Sequence, residues 1–158
     1  MSNKVRFLKF SDFNWEGVEV KQYKDERNTW LNVSRRVIVG KSGENTKFHV
    51  RYFEIAPGGY STLEKHRHEH VVICVRGNGL AVAGDDVYEM NFMDVIYIGS
   101  NVPHQFINQS DEPFGFICIV DAKRDKPKLL KRSEIFELLK SEKVSKVVRI
   151  PETYPIQV

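Results

Sequence analysis

From about residue 47 to residue 121 the chain is a succession of short β-rich runs. They are FHVRYFEI, YSTLEKH, VVICVRG, GLAVAG, VYEM, DVIYIG, HQFIN and FGFICIV. Turn signals separate them: Pro57-Gly58-Gly59, Gly77-Asn78-Gly79, Gly84-Asp85-Asp86, Asn101-Val102-Pro103 and Ser110-Asp111-Glu112-Pro113. Punctuation this frequent leaves no room for the crossover helices of about ten or more residues that parallel strands need. The pattern therefore predicts an all-β sandwich or barrel.

Around this centre, residues 1–46 read as an N-terminal β arm and residues 122–158 as a C-terminal extension, the whole forming one compact domain. A chain of 158 residues buries a core large enough to fold without disulfide staples. In the arm, residues 18–23 and 30–39 read as strands divided by a polar turn at 24–28. They are expected to lengthen a sheet or exchange across a homodimer, with Tyr23, Trp30 and Leu31 at the interface, because edge strands need covering. In the extension, the charged connector AKRDKPK leads to a helix over 134–140 with Ser133 as its N-cap. Ile135, Leu138 and Leu139 would share one face. Residues 144–150 read as a last strand, followed by an extended tail.

The charge balance is ordinary, with 24 Lys and Arg against 21 Asp and Glu for a net charge of +3. Basic residues gather at 123–132 and 140–149 and read as a solvated face, since no nucleic-acid-binding spacing or stacking signature accompanies them. No apolar run is long enough to span a membrane. The N-terminus MSNKVRFLKF lacks the apolar core of a signal peptide, so the expected compartment is the cytoplasm. Cys74 and Cys118 each lie in a β-branched run and read as packed, reduced thiols.

Chemistry concentrates in Glu64-Lys65-His66-Arg67-His68-Glu69-His70, which holds three of the five histidines. On an extended strand Glu64, His66, His68 and His70 would project to one side. Burying several imidazoles and a carboxylate together is costly unless something partners them, and a mid-row divalent metal does so. His104, after Asn101-Val102-Pro103, opens another strand, with Phe106 and Asn108 on its side. His49 has no evident partner and reads as structural.

Residues 58–108 resemble the two motifs of the cupin superfamily of small β-barrel proteins. Gly58, five residues, Glu64, His66, three residues, His70, six residues and Gly77 keep the spacing of the first motif. Glu64 stands where that motif has its first histidine, and His70 where it has its glutamate. In the second motif Gly99 and Asn101 take the proline and glycine places, Pro103 precedes His104, and Asn108 closes the pattern. The resemblance covers about half the chain. It implies a cupin-type double-stranded β-helix, or jelly-roll, barrel with an N-terminal β arm and a short C-terminal helix.

The resemblance also implies the site. Glu64, His66, His70 and His104 would hold one divalent transition metal per chain, of the Fe, Mn, Ni, Co or Zn group. A turn after His66 would aim His68 toward the pocket mouth or behind the ligands. Tyr52, Val72, Met90, Phe106 and Phe116 would line an apolar, aromatic pocket. Arg51 would meet a carboxylate if it faced inward, and alternation along FHVRYFEI leaves open whether Arg51 or Tyr52 does so. Open coordination positions point to an enzyme acting on a small molecule. The first expectation is a dioxygenase-like oxidoreductase acting on a small oxygenated organic compound. The others are a non-redox isomerase or lyase, and a ligand-binding sensor without catalysis.

Overall fold

The computed structural model describes residues 5–22 and 29–156; Tyr23 and the turn expected at 24–28 lie outside them. The strands of the arm are β1 (Phe10–Ser11), β2 (Asn14–Trp15), β3 (Lys21–Gln22) and β4 (Leu31–Val39). The central strands are β5 (Phe48–Tyr60), β6 (Glu64–Lys65), β7 (His70–Arg76), β8 (Gly79–Ala83), β9 (Asp86–Met90), β10 (Val95–Ile98), β11 (His104–Ile107) and β12 (Phe114–Asp121). The extension adds β13 (Lys128–Leu129), α1 (Arg132–Leu138) and α2 (Glu142–Val147). All-β architecture is thus observed as expected, in a nearly closed barrel.

The main sheet runs β10-β7-β12-β5-β11-β6-β13, with β3 and β4 added beside β5 and with β8 and β9 beside β11. Every pairing is antiparallel, from Phe114↔Ile55 between β12 and β5 to His104↔Ala83 between β11 and β8. The Pro57-Gly58-Gly59 signal does not end β5, contrary to the sequence reading. Gly58 takes φ +79, and backbone bonds join Gly58 and Gly59 to Asn108, so the strand kinks and carries on. Its first eight residues pair with β12, and Tyr60 then pairs with Ile107 of β11. This long bent strand is what carries the sheet around the core.

Inside the barrel pack Val33, Ile55, Val72, Cys74, Met90 and Phe114, with other buried residues. A second apolar cluster covers the outside: Leu63, Val82 and Ile107 from the barrel meet Leu130, Ile135, Leu138, Val144 and Tyr154 from the extension. The helices differ from the sequence reading. Lys131, not Ser133, is the N-cap of α1, and its N–H donates to Glu134 Oε2 at 2.8 Å. Leu139 caps the helix and is 41% exposed, so the buried face is Ile135 and Leu138. The strand expected at 144–150 is instead mostly helix α2. Val144, Val147 and Val148 have the i, i+3, i+4 spacing of a helix face, and the Ser141 side chain accepts a bond from the Val144 N–H. The extension therefore holds two helices rather than one.

The arm gives a further difference, the hairpin β1–β2. Its two-residue loop, Asp12 and Phe13, has positive φ at both positions, the geometry of a primed hairpin turn. Phe13 lacks the usual preference for that backbone. It is held there by stacking near Tyr52 and by the Arg76 guanidinium, 4.3 Å from its ring. Cys74 and Cys118 are both free and buried, as the sequence suggests. Among the described residues no helix is long and apolar enough to cross a membrane.

The extension is fastened by buried polar contacts. The Tyr154 hydroxyl donates to the Leu63 carbonyl at 2.7 Å and accepts from the Leu130 N–H at 2.8 Å. The Gln105 amide likewise bonds the carbonyls of Ser61 and Arg149 and accepts from the Arg149 N–H. Tyr154→Phe strands one buried acceptor and one buried donor, so we expect it to destabilise the fold by about 1–3 kcal/mol in urea unfolding. A midpoint equal to that of the unmodified protein would show that water replaces the hydroxyl at no cost.

Candidate metal centre

His66 lies in the turn after β6, His70 opens β7 and His104 opens β11. All three are buried, and one ligand atom from each lies within 4.8 Å of the others. Their rings pack edge to face, with centroids 4.7–5.1 Å apart. The Nδ1 positions are all taken. His66 Nδ1–H donates to the His68 carbonyl at 2.7 Å, and His104 Nδ1–H to the Val102 carbonyl at 2.8 Å. His70 Nδ1 meets the Cys118 thiol sulfur at 3.4 Å. The carbonyl acceptors fix the proton of His66 and His104 on Nδ1 and leave Nε2 as the lone-pair nitrogen, which is how metal-binding imidazoles are oriented. His70 Nε2 is buried without a hydrogen-bond partner. Three neutral imidazoles aimed at one point, one with an orphaned nitrogen, fit a divalent transition metal in their chemistry.

Burial keeps these rings neutral. Desolvation first, then the neighbouring imidazoles and Arg51, lowers His70 to about 2. Desolvation, against a raising bond to Val102, lowers His104 to about 4. His66, His68 and His49 are lowered too, with burial the largest cause in each.

The cavity at this point encloses about 270 Å³. Glu64, paired across the ladder with His104, lines the cavity but does not join the three atoms within 4.8 Å. His68 also lines it, outside the converging group. Its ring stacks flat on His66 at 3.6 Å, and its Nδ1 bonds Asp125 Oδ1 at 2.9 Å. The Asp125 carboxylate also accepts the backbone N–H groups of Arg67 and His68, which holds it ionised well below the usual carboxylate range. Phe53, Phe106 and Phe116 line the cavity.

Three expected pocket residues lie elsewhere. Tyr52 is on the opposite face of β5, fully buried, with its hydroxyl donating to Glu54 at 2.8 Å and its ring against Trp15. Gly115 leaves the space for that hydroxyl, since any side chain there would overlap it. Val72 and Met90 pack in the barrel core instead of lining the cavity. Arg51, read from sequence as an ordinary surface cation unless it turned inward, does turn inward. His49 does have a partner, accepting from Arg124 Nη1 at 3.0 Å. Sequence reasoning missed Arg35, Arg124, Asp125 and the contact of Cys118 with His70. Only the acidic residue inside the basic connector gave any signal.

The cupin domain family matches residues 51–120. The chain is similar to 1-methylthio-D-xylulose 5-phosphate methylsulfurylase of Rhodospirillum rubrum, 38% identical over 136 residues, covering 85% of this chain and 86% of that one. The chain belongs to the cupin superfamily. This cupin also resembles L-ectoine synthase of Bordetella petrii, 31% identical over 97 residues, covering 60% of this chain and 71% of the synthase. Its fold matches the crystal structure of a cupin 2 conserved barrel domain protein from Rhodopseudomonas palustris with a TM-score of 0.84, at 33% identity and over 91% of this chain and 99% of that one.

Because the folded histidines bind protons only below their ordinary value of about 6.5, the unfolded chain holds more protons between pH 6.5 and 4. Stability of the metal-free cupin is therefore complete above pH 6.5 and falls as pH drops toward the folded value of His104 near 4. Urea midpoints measured across that window should decline with acid, and the decline should be shallower in His104→Gln. A flat profile would contradict neutral burial of the rings.

Proposed function

We propose that this cupin is a metal-dependent enzyme acting without net oxidation on a small oxygenated compound, of the class of phosphorylated keto sugars. The observation that carries the reading is the group of three buried, Nδ1-tied imidazoles facing a cavity of about 270 Å³. The name of the 38% identical relative supports the substrate class, since xylulose 5-phosphate derivatives carry a carbonyl beside a hydroxyl. His66, His70 and His104 would hold the metal, with Glu64 the neighbouring carboxylate that strengthens it. When bound, the metal supplies Lewis-acid polarisation of a substrate oxygen. Asp125 fixes the proton of His68 on Nδ1, which leaves Nε2 to accept a proton from the carbon beside the carbonyl. Phe53, Phe106 and Phe116 exclude water from one wall.

The aromatic wall also suits the oxidative reading, a dioxygenase-like cupin using the same imidazoles. Oxygen decides between them. Protein loaded with iron or manganese should consume 1-methylthio-D-xylulose 5-phosphate at equal rates with and without air, and with no oxygen uptake. Uptake matching substrate loss would establish the oxygenase instead. Saturable binding with no turnover would make the protein a ligand-binding cupin.

For the metal itself, His66→Ala, His70→Ala and His104→Ala should each lower affinity by about 10–100-fold or more, read as metal content after gel filtration. Glu64→Ala should weaken binding by less, and His68→Ala should keep near-full occupancy. An empty site in His68→Ala beside a full one in Glu64→Ala would exchange the roles of those two residues.

Of the residues expected at a homodimer interface, Leu31 is exposed and Trp30 packs against the barrel core; Leu31 together with the exposed Val5, Phe7 and Phe10 of the arm supports a homodimer. A sedimentation mass of one chain at micromolar concentration would exclude it.

A further inference from the structure

The cavity has a second pole, opposite in character to the imidazoles. Arg35 on β4, Arg51 on β5 and Arg124 on the connector after β12 all line it. In the ladder Val37 faces Arg51 and Arg35 faces Phe53, so Arg35 and Arg51 are diagonal neighbours on one face of the sheet. Arg51 lies over the Phe53 ring at 4.9 Å, its Nη2 reaches the Cys118 sulfur at 3.5 Å, and its Nε is buried with no hydrogen-bond partner. Arg124 is anchored through Nη1 to the Asp121 carbonyl at 2.8 Å and to His49. Neither Arg51 nor Arg124 forms an ion pair with a carboxylate among the described residues. The acid beside them, Asp125, is spent on His68 and on two backbone N–H groups.

These cations repel one another. Burial first, then Arg51 and Arg35, lowers Arg124, and Arg35 first, then burial, Lys21, Arg124 and Arg51, lowers Lys41 at the edge of the group. Gathering like charges on one wall costs free energy. A multiply charged anion recovers it, and guanidinium groups bind phosphate oxygens with paired, charge-assisted bonds. The volume of about 270 Å³ lies just below the roughly 300–1,000 Å³ usual for small-molecule sites, which favours a short ligand.

We infer that Arg35, Arg51 and Arg124 form a phosphate-binding subsite, so that the ligand is a short phosphate monoester gripped by its dianion at one pole and presented to the imidazoles at the other. This deepens the function proposed above by naming the residues that recognise the charged end. It stands apart from the metal chemistry, since a dianion needs only the arginines.

The test uses inorganic phosphate and methyl phosphate, titrated calorimetrically at fixed ionic strength against the metal-free 158-residue protein. Both should bind, and acetate should bind more weakly. Arg51→Gln and Arg124→Gln should each weaken phosphate binding by about tenfold or more, the scale of one charged hydrogen bond. Arg51→Lys should recover part of the loss. Lys140→Gln, at an exposed lysine outside the cavity lining, should bind phosphate within about twofold of the unmodified protein by the same scale. Arg124 sits on the connector rather than in the barrel, so Arg124→Gln reads the subsite even if Arg51→Gln fails to fold. Phosphate affinity unchanged in Arg124→Gln, acetate binding as tightly as phosphate, or an equal loss of binding in Lys140→Gln would each overturn the assignment. Phosphate binding that follows the arginines while the metal-loaded protein turns nothing over would keep the subsite and refute the catalytic reading.

Discussion

Three neutral imidazoles sharing one buried point is the arrangement on which the rest of this molecule turns. Each ring has given up water, and a hydrogen bond at Nδ1 compensates only one of its two nitrogens. Protonation offers no relief, because a charge on one ring is opposed by burial, by the other rings and by Arg51. The group persists because the sheet dictates it. His70 is in register with Ile98 and Val120, and His104 with Ala83 and Glu64. A slip of one residue in either ladder would turn an imidazole to the other face of the sheet.

The barrel provides the imidazoles, but the extension completes the cavity. Arg124, Asp125 and Pro127 form part of its wall, and β13 follows at once to pair with β6, the strand that carries Glu64. The fastening is spread over distant points: Tyr154 on Leu63, Gln105 on Arg149, and the Lys65–Glu134 ion pair between β6 and α1. Loosening the outer cluster would therefore free Asp125 and the orientation of His68 as well as the packing of the helices. What looks like a solvated basic tail is a structural part of the site.

How much of this was legible follows from how local each signal is. Turn residues and β-branched runs are local, so the barrel strands are readable from them, whereas the convergence of His104 on His66 and His70 is legible only through the cupin spacing. The helix at α2 was misread because Val144, Val147, Val148 and Ile150 suit a strand by type, while their spacing suits a helix. The capping bond at Ser141 settles the matter. The Pro57-Gly58-Gly59 signal was read as a strand end, yet neighbouring strands carry β5 through it. The choice between Arg51 and Tyr52 depends on which face of β5 points inward, and alternation gives the period but not the phase. That phase is set by Gly115 on β12, whose missing side chain admits the Tyr52 hydroxyl from the other side. Asp125 and Arg35 reach the cavity only through pairings far apart in the sequence.

The two poles of the cavity are linked through one residue. Arg51 lies among the arginines, yet its charge also reaches His70, and its guanidinium touches the same Cys118 sulfur that holds His70 Nδ1. A cation in that position disfavours an imidazolium and so keeps the ring available as a neutral donor. Behind it, Phe53 stacks on Phe116 at 5.7 Å, and Phe116 meets Phe106 at 4.7 Å. With water kept from that wall, fields between the poles are screened less than at an open surface. A charged group entering at the arginines is thus felt at the imidazoles, and the geometry that positions one end of a ligand also sets the electrostatics at the other.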